Sequence, residues 1–296
     1  MSKRIFLLGG NDLEMTTIKN LLVNAGEQFE THDLRWDNAK LSSYEKTLEE
    51  YGNSPDYQIY GIELSEDIPH PDNYVRIDHH NDFANKPSSL EQVATLLGLE
   101  MDRHMQLVAA NDSRYIPGMI KLGASREEID DIRRADRAAQ GVSEGDESLA
   151  EESLKSCKGN IYDLYVVKSL TSKFSAICDR MYPYRRLLIY NDGVAEFYGE
   201  GVNDLTSLFK SELDANKMYH GGGNSGYLGT VSGKYNKEEI ASIVDKILVH
   251  FSNRKFGKVD RAECSPVPEP LYSYHIFYFP FKWAKKEVPE GTMTQL

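Results

Sequence analysis

The sequence has no paired cysteines, no long apolar runs and no excess of positive charge, and each shortage removes a class of protein. Its three cysteines, Cys157, Cys178 and Cys264, are scattered with no CxxC pair, so they neither staple a small secreted fold nor make a zinc site. Reduced, mostly buried thiols are expected. No stretch approaches the ~20 apolar residues of a membrane span. The opening MSKRIFLLGG lacks the long apolar core and small-residue cleavage site of a signal peptide. A cytoplasmic protein with no membrane span is expected. The formal net charge of -12 argues against a sequence-independent grip on long DNA or RNA, which relies on many phosphate contacts. It leaves a small nucleotide open, and a carboxylate cluster neutralised by bound cations would account for part of it.

What is present suffices for a real core. The 296 residues are 40% hydrophobic, with a mean hydropathy of -0.51, and are long enough for one large or two ordinary domains. RIFLLGG reads as an apolar strand entering a Gly-rich turn, and LEMTTIKNLLVNAG as a helix with a Gly stop. EQFETHDLRW, YQIYGIEL and NYVRID read as further strands. SYEKTLEEYG, SSLEQVATLLG, MDRHMQLVAAND and SREEIDDIRRADRAAQG read as helices. This alternation predicts an α/β fold with a doubly wound, mainly parallel sheet over residues 1–142.

The acidic stretch SEGDESLAEES reads as a solvated connector within residues 143–165. RRLLIYND, VAEFYGEG, HGGGNSGYLGTVSG and NKEEIASIVDKILVHF then suggest a smaller α/β domain over 166–256. Residues 257–296 begin Pro-rich and end in an aromatic extension. Its segment LYSYHIFYFPFKW (271–283) carries eight aromatic side chains, His275 among them, which would be costly to expose. Packing on the protein's own surface is the first expectation. A homodimer-forming arm and a partner-docking segment are the alternatives, and His275 is expected to pack rather than bind metal.

In an open parallel sheet, ligands gather beyond the carboxyl ends of the strands. Reading each strand to its end gives Asp12 and Glu14, then Glu63, then Asp78, His79 and His80. Asp112 ends a helix and begins a turn with Ser113. Taken singly, Asp12 or Glu63 is a helix cap or turn residue. Together these segments deliver carboxylates and imidazole to one rim, a ligand set suited to Mn²⁺ or a similar divalent ion rather than to a thiol-preferring one. Adjacent side chains on a regular strand point to opposite faces, so His79 and His80 share a site only if the strand has ended. The loop HGGGNSG (220–226) is rich in residues without bulk, and its backbone N–H groups are able to form an anion concavity. Arg180, Arg185 and Arg186 are candidates for a charged contact beside it.

DHH after a strand, with acids upstream, the Asp of LVAANDSRYIPG downstream and the distant HGGGNSGYLG, resembles the DHH/DHHA1 phosphoesterases. That family includes nanoRNases, cyclic-dinucleotide and pAp phosphodiesterases, and RecJ exonucleases. The resemblance implies a DHH domain and a DHHA1 domain with the active-site cleft between them. It places the first family motif on LGGNDLE, with Asp12 and Glu14 as metal ligands, Leu8 where the family has a histidine, and Asn11 where it has proline. It makes Glu63 the bridging acid, His79 a direct ligand and Asp112 the fourth-motif acid. Asp78 and His80 would serve catalysis by orienting His79 or facing the substrate phosphate, outside the ligand set. In the second domain it makes His220, Gly221, Gly222, Gly223, Asn224 and Ser225 the substrate loop, with Asn224 where the family has a histidine, and Arg185 is expected to bind substrate as the charged contact beside it.

The implied activity is an Mn²⁺-dependent phosphodiesterase, with one or two ions and with Mg²⁺ or Co²⁺ as substitutes. It would hydrolyse a small nucleotide and release a nucleoside monophosphate such as AMP. The departures at Leu8, Asn11 and Asn224 point toward nanoRNase-like relatives associated with type III CRISPR systems, which clear the adduct of S-adenosylmethionine and AMP. The alternatives are a housekeeping nanoRNase or pAp phosphatase, a catalytically degenerate nucleotide sensor, and a single-strand exonuclease.

Overall fold

The computed structural model describes residues 2–35, 38–161 and 163–252; Cys264 and the aromatic segment 271–283 lie outside them. The chain divides into two compact units between Ile132 and Arg133. Among the described residues no helix is long and apolar enough to cross a membrane.

The first unit holds β1 (Lys3–Leu8), α1 (Leu13–Ala25), β2 (Gln28–Thr31), α2 (Glu45–Tyr51), β3 (Tyr57–Ile62), β4 (Tyr74–Ile77), α3 (Ser89–Leu97) and α4 (Arg103–Lys121). Helix α5 (Arg126–Ala139) contains the division. Ile5, Phe6, Leu7 and Leu8 are all buried, the continuous run of a strand covered on both faces. Ile5 and Leu7 pack with Leu41, Tyr44 and Leu48; strand alternation turns Phe6 and Leu8 to the opposite face. The strands run in the order β2-β1-β3-β4, and every pairing is parallel. The strand order reverses between β1 and β3, and in such sheets a crevice forms there beyond the carboxyl ends.

Local signals set the helix ends. Asp12 caps α1 by accepting the Met15 N–H at 2.8 Å, and Gly26 ends the helix at φ 68. Ser88 and Glu91 form a reciprocal capping box on α3. Helix α4 runs through Asp112 and Ser113, where the sequence suggested a turn. The chain instead breaks at Tyr115, with φ 55 and ψ -152. Pro117, two residues on, has no N–H for the Ser113 carbonyl and its ring crowds that carbonyl, so the regular helix is interrupted here rather than at Asp112.

The second unit contains α6 (Glu144–Leu154), β5 (Lys158–Ile161), β6 (Leu164–Lys168), α7 (Ser175–Met181), β7 (Arg186–Tyr190), β8 (Ala195–Gly199), α8 (Val202–Leu208), α9 (Lys210–Asp214), β9 (Met218–Gly221), β10 (Tyr227–Thr230) and α10 (Lys237–Ser252). Its sheet has the order β5-β6-β7-β8-β10-β9. The β6–β7 pair is parallel and the others antiparallel. Leu188 and Phe197 pack toward α8 and α10 on one face. Leu187 and Ile189 pack with Ala176 and Ile177 of α7 on the other.

The acidic stretch 143–153 is helical, with Glu144, Glu151 and Glu152 exposed and Glu147 turned inward. Ser143 starts α6 with a capping box, and Glu147 is buried. Its carboxylate receives Arg137 at 2.7 Å and Arg180 at 2.7 Å. A charge run is solvated only where no cation meets it, and α5 and α7 each bring an arginine. Of the cysteines, Cys178 is buried and Cys157 half-buried.

Candidate metal centre

Three segments of the first unit end beside one another with ligand-type side chains. β3 stops at Ile62, and Glu63 follows with φ 53, a left-handed conformation unusual for a residue with a side chain. Gly9 sits against this corner, where a Cβ would lie 2.6 Å from the carbonyl oxygens of Ile62 and Glu63. β4 stops at Ile77, so strand alternation no longer separates the two histidines. Asp78 Oδ1 accepts the backbone N–H of His80 at 2.8 Å and turns the chain. The imidazole centroids come to 4.2 Å with 38° between planes. The third segment is α4, which presents Asp112 from near the Tyr115 break.

Glu63, His79, His80 and Asp112 each offer one ligand atom, and these atoms lie within 4.8 Å of one another. His79 Nε2 is 2.7 Å from Asp112 Oδ2, 3.3 Å from Glu14 Oε2 and 3.4 Å from Glu63 Oε1. His80 Nε2 is 3.4 Å from Glu63 Oε1. The expectation that His80 would stand outside the ligand set therefore differs from the geometry. The turn at Asp78 brings its ring beside that of His79.

The remaining acids have other duties. Glu14 is buried, with Oε1 accepting the Leu90 N–H at 3.0 Å and Oε2 facing His79. Asp12, expected as a ligand, is buried as the α1 cap and is not one of the four. Asp78 has Oδ2 held by Arg76, at 3.1 Å from Nε and 2.5 Å from Nη2. Leu8 is buried, and its carbonyl accepts the Tyr44 hydroxyl.

The electrostatics push these acids apart. Burial, then the Asp112 charge, raises Glu14 up to about 8 against the pull of His79. Burial also opposes ionisation of Glu63, yet its contacts with His79 and His80 hold it well below the carboxylate range. Burial raises Asp112, with His79 offsetting part of the effect. For His79, burial favours the neutral ring, but Asp112, Glu14 and Glu63 outweigh it and raise the imidazole far above its ordinary value.

Whether these residues fit a metal ion is decided by their unsatisfied atoms. Both Glu63 carboxylate oxygens and Asp112 Oδ2 are sealed from solvent and meet no donor in hydrogen-bond geometry. Buried carboxylate oxygens left in that state are costly. Two imidazole nitrogens and two carboxylates are donors suited to a divalent transition ion. The residues fit.

The sequence-predicted substrate residues lie in the second unit. His220 and Gly221 are the last two residues of β9, and Gly222 and Gly223 turn the chain toward β10 at φ 73 and 66. His220, Gly223 and Asn224 are exposed. Arg185 is exposed, 2.8 Å from Glu200 and 3.0 Å from Asp163. Arg186 is buried and donates to the Glu200 carbonyl at 3.0 Å. Arg180 is half-buried and lies 2.7 Å from Glu147. Two residues escaped the sequence reading. Arg76 was legible as a cation two positions before Asp78, hence on the same strand face. Gly9 was legible only as part of a Gly pair.

No family model matches the chain, and no curated protein matches it by sequence. Solved structures do. The DHH domain of a protein assigned to a family of ribosomal proteins aligns with a TM-score of 0.51 at 12% identity, covering 86% of this chain and 88% of that one. RecJ from Thermus thermophilus, in complex with Mn²⁺, aligns at 0.41 and 11% identity over 86% of this chain, which spans 52% of the RecJ chain. PggH, a pGpG-specific phosphodiesterase from Vibrio cholerae, aligns at 0.41 and 12% identity, covering 85% of this chain and 98% of that one. With its parallel β2-β1-β3-β4 sheet and its second mixed sheet, the chain shares the fold of the solved DHH-domain structure.

Proposed function

We propose that this protein is a divalent-metal-dependent phosphodiesterase acting on a small nucleotide and releasing a nucleoside monophosphate. The observation that carries the reading is the four-residue group of Glu63, His79, His80 and Asp112, with the buried Glu63 oxygens lacking donors. Those four residues would hold the ion, with Mn²⁺ the first choice and Mg²⁺ or Co²⁺ as substitutes. The chemistry such an ion supplies is polarisation of a phosphoryl oxygen and a lowered pKa for water. Glu14 orients the His79 ring, and Asp78 sets the loop from which both histidines project. Asp12 is committed to the Met15 N–H, Asp78 to Arg76, and one Glu14 oxygen to Leu90. One ion per chain is the stoichiometry these commitments favour.

Substrate contacts are assigned to the second unit, to Arg185 and the loop from His220 to Ser225. Residues 1–142 would carry the chemistry, 143–165 the connection and 166–256 the substrate contacts. The chain's negative balance supports a dinucleotide-sized substrate over a polymer, because long strands need many cationic contacts. The test is incubation with Mn²⁺ and, separately, pApA, pAp, cyclic di-AMP and the adduct of S-adenosylmethionine and AMP. AMP release that disappears in Glu63→Gln is the expected result. No product from any of the four with Mn²⁺, Mg²⁺ or Co²⁺ overturns the reading and leaves nucleotide binding without turnover.

A further inference from the structure

Arg76 makes an unusual set of contacts for an arginine on a short strand. Its Nε and Nη2 both reach Oδ2 of Asp78, at 3.1 and 2.5 Å. Its Nη1 is 3.4 Å from Glu66 Oε2, and its guanidinium lies 4.5 Å from the Phe83 ring centroid. Phe83 ends the short 3-10 turn Asn81–Phe83 that follows the two histidines, and its N–H donates to the His80 carbonyl at 2.9 Å. Arg76 therefore touches the histidine loop at both ends, at Asp78 before it and at Phe83 after it, and is itself tethered to the β3–β4 connection through Glu66.

We propose that Arg76 is a positioning residue for the metal centre, acting through Asp78 on the backbone of His80. The inference rests on the metal-centre reading above. Asp78 is buried, and one of its oxygens holds the His80 N–H at 2.8 Å. That bond keeps the two imidazoles on one side. An Asp78 carboxylate without its arginine would be an uncompensated buried charge, free to turn away from His80. Arg76 supplies two donors on one edge, and the Phe83 ring covers its plane. A lysine supplies only a point charge and cannot reproduce both contacts. Asn81, directly after His80, adopts φ 50, so the loop sits in a conformation that its surroundings must enforce.

Residues behind metal ligands change metal affinity by about 10- to 100-fold when removed. The experiment is Mn²⁺ titration of the full chain, read by the loss of the free-ion EPR signal, with the EDTA-treated unfolding midpoint measured for each variant. Arg76→Met and Asp78→Asn are each expected to weaken Mn²⁺ binding by about 10-fold or more, and the double variant to be no weaker than the worse single. Arg76→Lys is expected to fall between wild type and Arg76→Met with an unchanged midpoint, and it keeps the test open if Arg76→Met does not fold. Wild-type affinity in Arg76→Lys and Arg76→Met, or additive losses in the double variant, would overturn the inference. Glu63→Gln separates the two readings. If it binds Mn²⁺ like wild type, the metal-centre reading itself fails; if it loses binding while the Arg76 variants keep theirs, only the role of Arg76 fails.

Discussion

Nε2 of His79 lies 2.7 Å from Oδ2 of Asp112, closer than to Glu14 at 3.3 Å or Glu63 at 3.4 Å. One imidazole nitrogen thus faces carboxylates from α1, from the end of β3 and from α4. No two of these segments are neighbours in sequence. In the ion-free chain a proton on His79 offsets part of this negative charge, which is why its pKa is raised against the effect of burial. A divalent cation would offset more of it, and would meet the Glu63 oxygens that the two histidines leave unsatisfied.

The first prediction concerns stability with and without metal. A ligand that binds only the folded chain stabilises it by about 2.7 kcal/mol at 100 times its dissociation constant. Urea unfolding in Mn²⁺ against EDTA should show that difference in the wild-type chain and none in Glu63→Gln. Equal Mn²⁺ stabilisation of both would place the ion elsewhere.

A second prediction follows from Gly9. A methyl group there would stand 2.6 Å from two backbone oxygens at the end of β3, so Gly9→Ala must displace the corner that presents Glu63. Overpacking of this kind costs about 1–3 kcal/mol. The variant should unfold at lower urea and bind Mn²⁺ more weakly. Retention of both properties would mean that the β3 corner yields without moving Glu63.

The third is a pH dependence in the second unit. Burial opposes ionisation of Glu147, but Arg137 and then Arg180 outweigh it and depress its pKa below the ordinary 4.5. A depressed folded-state pKa gives stability that is present above the unfolded value and lost as pH falls through the folded one. Glu147→Gln should therefore lose about 3 kcal/mol at pH 7, the order expected when one partner of a buried pair is removed. The gap between variant and wild type should close as pH drops below 4.5. Urea titrations at pH 7, 5, 4 and 3 check both parts, and a gap independent of pH would assign the loss to packing.

Much of the first unit was readable from residue pattern alone. The apolar run of β1, the Asp12 and Gly26 ends of α1 and the Ser88 start of α3 are local signals, and the structure has each of them. The misreadings share a cause. Asp112 was placed in a turn because local polarity suggested one, whereas the break waits for Tyr115 and Pro117. Glu147 was taken as solvated with the rest of its acidic stretch because sequence shows its charge without showing Arg137 and Arg180 across from it.

The candidate site divides in the same way. Sequence by itself determined which side chains end the strands, because strand alternation and turn chemistry act over a few residues. With the family resemblance, it named Asp12, Glu14, Glu63, His79 and Asp112 as ligands. Only the tertiary structure decided how those side chains are used. Asp78 is held by Arg76, and His80 is turned in beside His79. Each of these outcomes depends on a hydrogen bond or contact with geometry that the order of residues does not specify. The DHH triplet marks the place, and the bonds around Asp78 determine that both of its histidines face the same carboxylates.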